Sequence, residues 1–255
     1  MPAVFIGHGS PMNALHENSF TQSLSVLGQQ LPMPKAILVI SAHWLTEGTW
    51  VTGMGQPRTI HDFYGFPDEL FAVQYPAPGS PELAQTVREQ ITQPSIQVDS
   101  HQWGLDHGTW AVLCKMYPAA NIPVVQLSID INKPAAFHFE LGQKIAFLRQ
   151  QGVLILGSGN IVHNLRKMNW NKTGQGEDWA IEFDQWVKTH IENKNYHPLF
   201  KNHLDTTAGQ WSIPTPEHYY PLLTILGATR PQDQVHFHHE GYDLGSISMR
   251  GFHLK

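Results

Sequence analysis

The stretch Ala3-Val-Phe-Ile-Gly-His-Gly-Ser-Pro11 decides the fold, and the rest of the chain repeats its pattern. Its first four residues are apolar and predict a short buried strand, while the glycines on both sides of His8 predict a sharp turn out of that strand. In an open α/β sheet the carboxyl ends of the strands form the rim of the ligand crevice. An imidazole at that place is presented to a site, so His8 is a candidate functional residue.

Two further apolar runs lead into a histidine in the same way. The run 36–41 is followed by His43, and the run 153–157 leads to His163. Continuous β-branched runs are typical of strands whose two faces are both covered by helices. The sequence therefore predicts an α/β fold: one domain over residues 1–255, with a mostly parallel central sheet flanked by helices and an active site at the carboxyl ends of the strands.

The segments between the strands supply helices and one long loop. The predicted helices lie at 19–31, at 80–91, after Asp106 as far as Pro118, at 134–150, at 177–192, and from Pro214 to 226, the last with Glu217 and His218 in its first turn. Residues 45–79 are rich in glycine, proline and aromatic residues. A long ordered loop of that composition is usually functional, and we expect it to form a wall of the site.

The C-terminal tail alternates weakly and predicts a terminal antiparallel hairpin. It carries three histidines, namely His236, His238 and His239. They could bind a metal adventitiously, or they could point outward from an edge strand, and the second interpretation is favoured.

Composition excludes several classes of partner and points to metal or proton chemistry. The formal charge of −5 gives no electrostatic reason to expect a nucleic-acid or membrane partner, and the single cysteine, Cys114, excludes an intramolecular disulfide. No apolar run reaches the ~20 residues of a membrane span, and the start lacks the basic region of a signal peptide, so we expect a cytoplasmic location. The 16 histidines equal all lysines and arginines together. Histidine is the commonest metal ligand and titrates nearest neutral pH.

The strand-end histidines and the Glu217-His218 pair would converge on one crevice if the strands are parallel neighbours. Neutral imidazoles with one or two oxygen donors suit zinc or iron(II), and an open coordination position would make such a site catalytic. Other motifs are incomplete. Gly157-Ser-Gly159 lacks the third glycine of a dinucleotide fingerprint, and Gly7-His-Gly-Ser10 is not the Gly-x-Ser-x-Gly of a serine hydrolase.

Five ordered motifs resemble those of the class III extradiol ring-cleavage dioxygenases, which are of the LigB type. They are Gly7-His-Gly-Ser-Pro11, Ser41-Ala-His-Trp44, Asp106-His-Gly108, Gly157-Ser-Gly-Asn160 with His163-Asn164, and Pro216-Glu-His-Tyr219. The resemblance runs essentially from end to end and is strongest to the 4,5-DOPA extradiol dioxygenase-like proteins of bacteria and plants. It implies one divalent metal ion, zinc or non-haem iron(II), with O₂ as co-substrate. It also implies a small-molecule catechol substrate such as DOPA, cleaved beside its two hydroxyls.

The resemblance also implies which residues hold the metal. His8 and His43 match the two histidine ligands. The third ligand is either His218 or its neighbour Glu217, because typical ring-cleaving relatives use a glutamate there whereas the DOPA-type proteins offer a histidine. We expect His218.

Two further histidines match residues that act on the substrate. His163 matches the active-site acid/base, which can also approach the metal in the resting zinc form, and His107 matches a second site histidine that hydrogen-bonds the substrate. Three functions stay open: an extradiol dioxygenase, which the resemblance favours, a zinc-dependent hydrolase on the same scaffold, and a metal-binding protein without catalysis. Neither the physiological substrate nor the oligomeric state follows from the sequence.

Overall fold

The computed structural model describes residues 1–172 and 174–255. The strands in these ranges are β1 (Ala3–Gly7), β2 (Ala36–Thr46), β3 (Thr49–Thr52), β4 (Ile96–Asp99), β5 (Val124–Asp130), β6 (Val153–Gly159), β7 (Val235–His239), β8 (Tyr242–Asp243), β9 (Ile247–Ser248) and β10 (Gly251–Leu254). The helices are α1 (Ser19–Gln30), α2 (Asp68–Phe71), α3 (Pro81–Gln90), α4 (His107–Met116), α5 (Ala135–Ile145), α6 (Asp178–Glu192), α7 (His197–Lys201), α8 (Thr207–Ser212) and α9 (Tyr220–Gly227). Short 3-10 helices lie at Pro11–Ala14, Ala146–Gln151 and Leu165–Lys167.

Eight strands form one sheet in the order β4-β3-β5-β2-β6-β1-β10-β7. Its centre is parallel, since β2 pairs with both β5 and β6, and β6 pairs with β1. The tail adds two antiparallel strands, β10 beside β1 and then β7 at the edge. The predicted single α/β domain with a mostly parallel sheet is confirmed, and so is the antiparallel tail.

Helices cover both faces of this sheet. Along β1, Val4 and Ile6 pack into the layer that contains α1 and α4, whereas Ala3 and Phe5 pack into the layer that contains α3, α5, α6 and α9. Burial on both faces explains why the strand is apolar at every position, without the alternation of a half-exposed strand. Because helices cover both faces, a ligand can approach the sheet only at the ends of its strands.

Most predicted helices are observed within a few residues of their predicted limits. Asp106 caps α4 by accepting a hydrogen bond from the backbone N–H of Thr109, as a polar residue ahead of an apolar helix suggests. The helix predicted from Pro214 is wrong in its start, because α9 begins only at Tyr220, with Pro221 in its first turn. Glu217 and His218 therefore lie in the turn before the helix. No helix within residues 1–172 and 174–255 has the length and apolarity needed to cross a bilayer.

Two further predictions need correction near the site. The loop 45–79 contains strand β3 and the short helix α2, which its glycine and proline content obscured. Strand β2 also extends beyond the predicted residue 41 to Thr46. Its pairing with β5 skips from Ile40 and Leu127 to Leu45 and Ile129, so the intervening residues form an irregular bulge. Bulges redirect side chains, and His43 lies in this one.

Candidate metal centre

The five histidines predicted for the site lie together at the carboxyl edge of the sheet. The ring centroids of His8, His43 and His218 are separated by 5.1, 5.5 and 5.2 Å for the pairs 8–43, 8–218 and 43–218. The ring of His107 lies 3.9 Å from that of His43, and the ring of His163 stacks on His218 at 3.5 Å. Five imidazoles from distant segments thus share one small volume.

His8 is held by the neighbouring strand β6. Its backbone N–H donates to the carbonyl of Gly159 over 3.0 Å, and its Nδ1 lies 2.9 Å from the hydroxyl oxygen of Ser158. That hydroxyl donates its own proton to the carbonyl of Gly108 over 2.6 Å. The Ser158 oxygen must therefore accept from Nδ1–H of His8, which leaves the lone pair of the neutral ring on Nε2. Gly9 follows at φ 60°, the left-handed conformation that turns the chain away.

His43 faces a carboxylate on one side and His8 on the other. Its Nδ1 lies 3.4 Å from Oδ2 of Asp62, and its Nε2 lies 3.2 Å from Nε2 of His8. Burial tends to raise the pKa of Asp62, but hydrogen bonds from His107 outweigh burial and lower this pKa, so Asp62 is ionised. A carboxylate accepts and cannot donate, which favours the proton of His43 on Nδ1 and its lone pair on Nε2.

The close approach of the two Nε2 atoms fits a bound cation. Burial first, and the neighbouring imidazoles second, keep the pKa of His8 and the pKa of His43 well below the ordinary histidine value, so both rings are neutral. Two lone pairs 3.2 Å apart repel each other unless a positive centre draws them together. Neutral imidazole nitrogens are ligands of zinc and iron(II), and the donor set therefore fits a divalent transition-metal ion.

His218 completes a nearly equilateral triangle with His8 and His43. Its Nδ1 lies 3.1 Å from Oε1 of Glu217, which also accepts from the hydroxyl of Thr215 over 2.8 Å. Burial raises the pKa of Glu217, but these hydrogen bonds and the adjacent imidazole outweigh it and lower that pKa to about 2. Glu217 is therefore ionised and accepts from Nδ1 of His218, which leaves Nε2 of His218 as the nitrogen that can bind a metal.

The backbone at His218 is fixed by β6. The carbonyl of His218 accepts from the N–H of Asn160 over 2.8 Å, and a Cβ on Gly159 would collide with the same carbonyl oxygen. Glycine is needed where two backbones approach this closely. The Gly-Ser-Gly-Asn motif therefore serves the site by holding His8 and the 217–218 turn, and it has no need of the missing third glycine.

His163 lies flat against His218, with ring planes only 5° apart. Its backbone N–H donates to the carbonyl of Ser212 over 2.9 Å, which ties it to the end of α8. Burial, followed by the proximity of His218, lowers the pKa of His163 to about 2. The ring is therefore neutral and offers a proton acceptor beside the triangle.

His107 begins α4 and is bound on two sides by Asp62. Its backbone N–H donates to Oδ1 over 2.9 Å, and its Nδ1 lies 2.9 Å from Oδ2. Ring nitrogens of His8, His43 and His107 all lie within 4.8 Å of one another. His107 is therefore a competitor of His218 for the third position around a metal.

The loop between β3 and α3 supplies an aromatic wall, as predicted. The ring of Phe63 meets His107 edge-on at 5.6 Å and lies 5.0 Å from Phe71. His61 has a structural role, since its Nε2 lies 2.9 Å from the carbonyl oxygen of Val73. An apolar aromatic wall beside the imidazoles suits an aromatic ligand.

Sequence reasoning missed two residues of this centre, Asp62 and Ser158. Asp62 stands 45 residues before its partner His107, and Ser158 stands 150 residues after its partner His8. Both were inside stretches singled out for other reasons, the aromatic loop and the Gly-Ser-Gly turn. No spacing rule connects such partners, so the only available signal was that a histidine site needs acceptors for its second ring nitrogens.

Comparison with known proteins gives concordant matches over nearly the whole chain. The family described as "Catalytic LigB subunit of aromatic ring-opening dioxygenase" matches residues 2–250. A protein of Escherichia coli (strain K12) named 4,5-DOPA dioxygenase extradiol is 52% identical over 252 residues, which cover 98% of this chain and 93% of that protein. A Beta vulgaris protein of the same name is 38% identical over 252 residues, covering 96% and 92%. The crystal structure of an uncharacterized protein from Escherichia coli K12 superposes with a TM-score of 0.87 at 46% identity and covers 100% of both chains.

Proposed function

This chain belongs to the family of the catalytic LigB subunit of aromatic ring-opening dioxygenase, and from that premise we propose that it cleaves the catechol ring of DOPA, or of a similar catechol, at the 4,5 position. The product is a ring-opened semialdehyde. The observation that carries the proposal is the triangle of His8, His43 and His218, whose ring centroids are 5.1, 5.5 and 5.2 Å apart. The names of the relatives support the choice of DOPA.

His8, His43 and His218 would hold the metal, which we propose to be non-haem iron(II). A metal with three protein ligands would keep room for outside molecules. Zinc would fit the same nitrogens but has no redox chemistry. When bound, iron(II) supplies the redox chemistry that activates O₂ towards the catechol ring.

The chain's own residues supply the proton transfers. Nδ1 of His107 donates to Asp62 over 2.9 Å, so its Nε2 can accept a hydrogen bond from a catechol hydroxyl. The ring of His163 stacks on His218 at 3.5 Å, and from this place it would take a proton from the substrate and return it as the ring opens. Phe63 packs edge-on beside His107 and would give the aromatic ring of the substrate an apolar contact.

The test is turnover by protein loaded with iron(II) under anaerobic conditions and then given O₂ and L-DOPA. We expect oxygen uptake in a one-to-one ratio with the formation of a yellow semialdehyde or its cyclised product. His8→Ala, loaded in the same way, should show neither. Absence of oxygen uptake with DOPA and with a panel of other catechols would contradict the proposal.

A zinc-dependent hydrolase is the second candidate, because three histidines are also the ligand set of hydrolytic zinc sites. One experiment distinguishes the two functions. Ester or amide turnover by the zinc-loaded protein that persists when O₂ is excluded would favour the hydrolase. Family membership favours the dioxygenase.

A further inference from the structure

The carboxylate of Asp62 contacts two of the five histidines at once. Its Oδ2 lies 2.9 Å from Nδ1 of His107 and 3.4 Å from Nδ1 of His43. Its Oδ1 accepts the backbone N–H of His107 over 2.9 Å. Both oxygens are therefore directed at the site, although Asp62 comes from the aromatic loop and the histidines come from β2 and α4.

An ionised carboxylate determines where the imidazole protons lie. It can only accept hydrogen bonds, so a neutral His107 that contacts it through Nδ1 carries its proton there and has its lone pair on Nε2. His43 makes a longer contact, 3.4 Å from its Nδ1 to Oδ2, and the negative carboxylate favours the proton of His43 on that nitrogen and not on Nε2. Without an acceptor, either ring could place its proton on Nε2 and block a ligand or substrate contact.

We propose that Asp62 is the positioning residue of this site: it fixes the Nδ1–H tautomer of His107 and holds His43 in the same state, which turns both Nε2 atoms into acceptors. The inference rests on the proposed function for its purpose, because free Nε2 atoms are what a metal and a catechol hydroxyl require. It goes beyond that function because it gives one acidic side chain control of both a proposed metal ligand, His43, and a proposed substrate contact, His107. Mutation of a residue that hydrogen-bonds a metal ligand commonly lowers metal affinity or activity by about 10–100-fold.

A purely structural role for Asp62 makes a different prediction. The carboxylate also anchors the loop that carries Phe63, and it accepts a hydrogen bond at the first residue of α4. An amide oxygen could perform that anchoring equally well, because it too accepts from a backbone N–H. Only the contacts to the two Nδ1 atoms need a group that cannot donate.

Asp62→Asn separates the two roles. The amide oxygen can stay on the backbone N–H of His107, while the NH₂ group takes the place of Oδ2 and faces the Nδ1 atoms as a donor. We expect the proton of His107 to move to Nε2, which ¹⁵N NMR of the imidazole nitrogens in metal-free protein detects. Asp68→Asn is the matched control, since Asp68 is exposed in the first turn of α2.

Metal affinity provides the second readout. Competition with a chelator for Zn²⁺ should show binding weakened by about 10–100-fold in Asp62→Asn and unchanged in Asp68→Asn. Neither measurement uses a catechol, so both can succeed even if DOPA is not the substrate. Conversely, a protein that turns over DOPA can still contradict the role given to Asp62.

The proposal is overturned if Asp62→Asn keeps the Nδ1–H tautomer of His107 and binds Zn²⁺ as the wild type does. If this variant also unfolds at a lower temperature, Asp62→Glu is the second variant, because it retains a carboxylate. We expect Asp62→Glu to keep the Nδ1–H tautomer. A glutamate variant with the proton on Nε2 would equally overturn the proposal.

Discussion

The hydroxyl oxygen of Ser158 on β6 lies 2.9 Å from Nδ1 of His8 at the end of β1, so one central strand holds the imidazole presented by its neighbour. Asp62 and Glu217 stand in the same relation to other histidines of the site, each facing an Nδ1 atom. One hydroxyl and two carboxylates thus lie against the Nδ1 atoms of His8, His43 and His218. The protein's own acceptors therefore orient the proposed ligands.

Removal of the Ser158 hydroxyl should weaken metal binding. In Ser158→Ala, His8 loses the acceptor of its Nδ1 proton, and its ring is free to rotate or to change tautomer. We expect Zn²⁺ affinity to fall by about 10–100-fold, as is usual when an outer partner of a metal ligand is removed. Chelator competition measures this fall directly.

Ser128→Ala is the matched control for that experiment. Ser128 is equally buried, in β5, but its hydroxyl contacts the hydroxyl of Thr46 and the backbone N–H of Trp50 and touches no imidazole. Its removal costs a buried hydrogen bond and should leave metal affinity unchanged. Equal metal affinity of Ser158→Ala and Ser128→Ala would show that the serine does not position His8.

Of the two variants His218→Ala and His107→Ala, only the first should lose metal. We expect His218→Ala to lose more affinity than the roughly 10–100-fold of an outer partner, because it removes one corner of the triangle. His107→Ala should retain the metal and lose turnover of the catechol. Metal analysis after dialysis distinguishes the two variants. The control is His61→Ala, which replaces a histidine of the aromatic loop that is not a proposed ligand. Loss of metal from His107→Ala with retention in His218→Ala would assign the third ligand to His107.

Substitution of Phe63 should weaken substrate binding more than it slows the chemical step. In Phe63→Ala the aromatic wall beside His107 is lost, and with it the apolar contact to the ring of a catechol. We expect KM for L-DOPA to rise about ten-fold, equivalent to roughly 1.4 kcal/mol, with kcat and metal content little changed. Steady-state kinetics test this split, and a fall in kcat at constant KM would contradict it.

His138 in α5 should make stability depend on pH. Burial lowers its pKa from the ordinary 6.5 to about 4, although Asp130 acts in the opposite direction. The unfolded chain therefore takes up a proton before the folded one does, so the stabilisation is complete above pH 6.5 and is lost as the pH falls towards 4. At a pH of about 5 the loss from this residue is roughly 2 kcal/mol.

Urea unfolding of wild type and His138→Phe at pH values of about 7.5 and about 5 isolates this contribution. Phenylalanine keeps a ring in place of the imidazole that stacks on Tyr220 at 4.0 Å, and it cannot titrate. The free energy of unfolding of the variant should therefore fall less on acidification. The other buried histidines are present in both proteins and cancel in the difference. Equal losses in both proteins would contradict the assignment.

The parts of the site that sequence could predict are those encoded locally. An apolar run followed by a histidine predicts both a buried strand and the residue presented near its end. This pattern identifies His8 at the end of β1, and it identifies His43 although β2 continues past it to Thr46. The same logic failed where local signals competed. Pro214 suggested a helix start, but Pro221 occupies the first turn of the actual helix, and His218 is consequently presented by a turn.

The parts that sequence could not predict depend on the arrangement of strands and loops. Asp62 reaches His107 only because its loop folds back over the end of the sheet, and a loop path is not written in the periodicity of its residues. Ser158 reaches His8 because β6 lies beside β1, a neighbour relation between segments 150 residues apart. The bulge that places His43 likewise depends on the pairing of two distant strands, β2 and β5, whose register shifts between Ile40 and Leu45.

The proposed ligands are spread along the chain from His8 to His218, and this spacing has a consequence for biosynthesis. A growing polypeptide emerges from the ribosome amino terminus first. It displays His8 and His43 early, but the third corner of the triangle is translated only when most of the chain has been made. The metal site cannot close on a nascent fragment, so full-affinity capture of the ion must be one of the last events in the maturation of this protein.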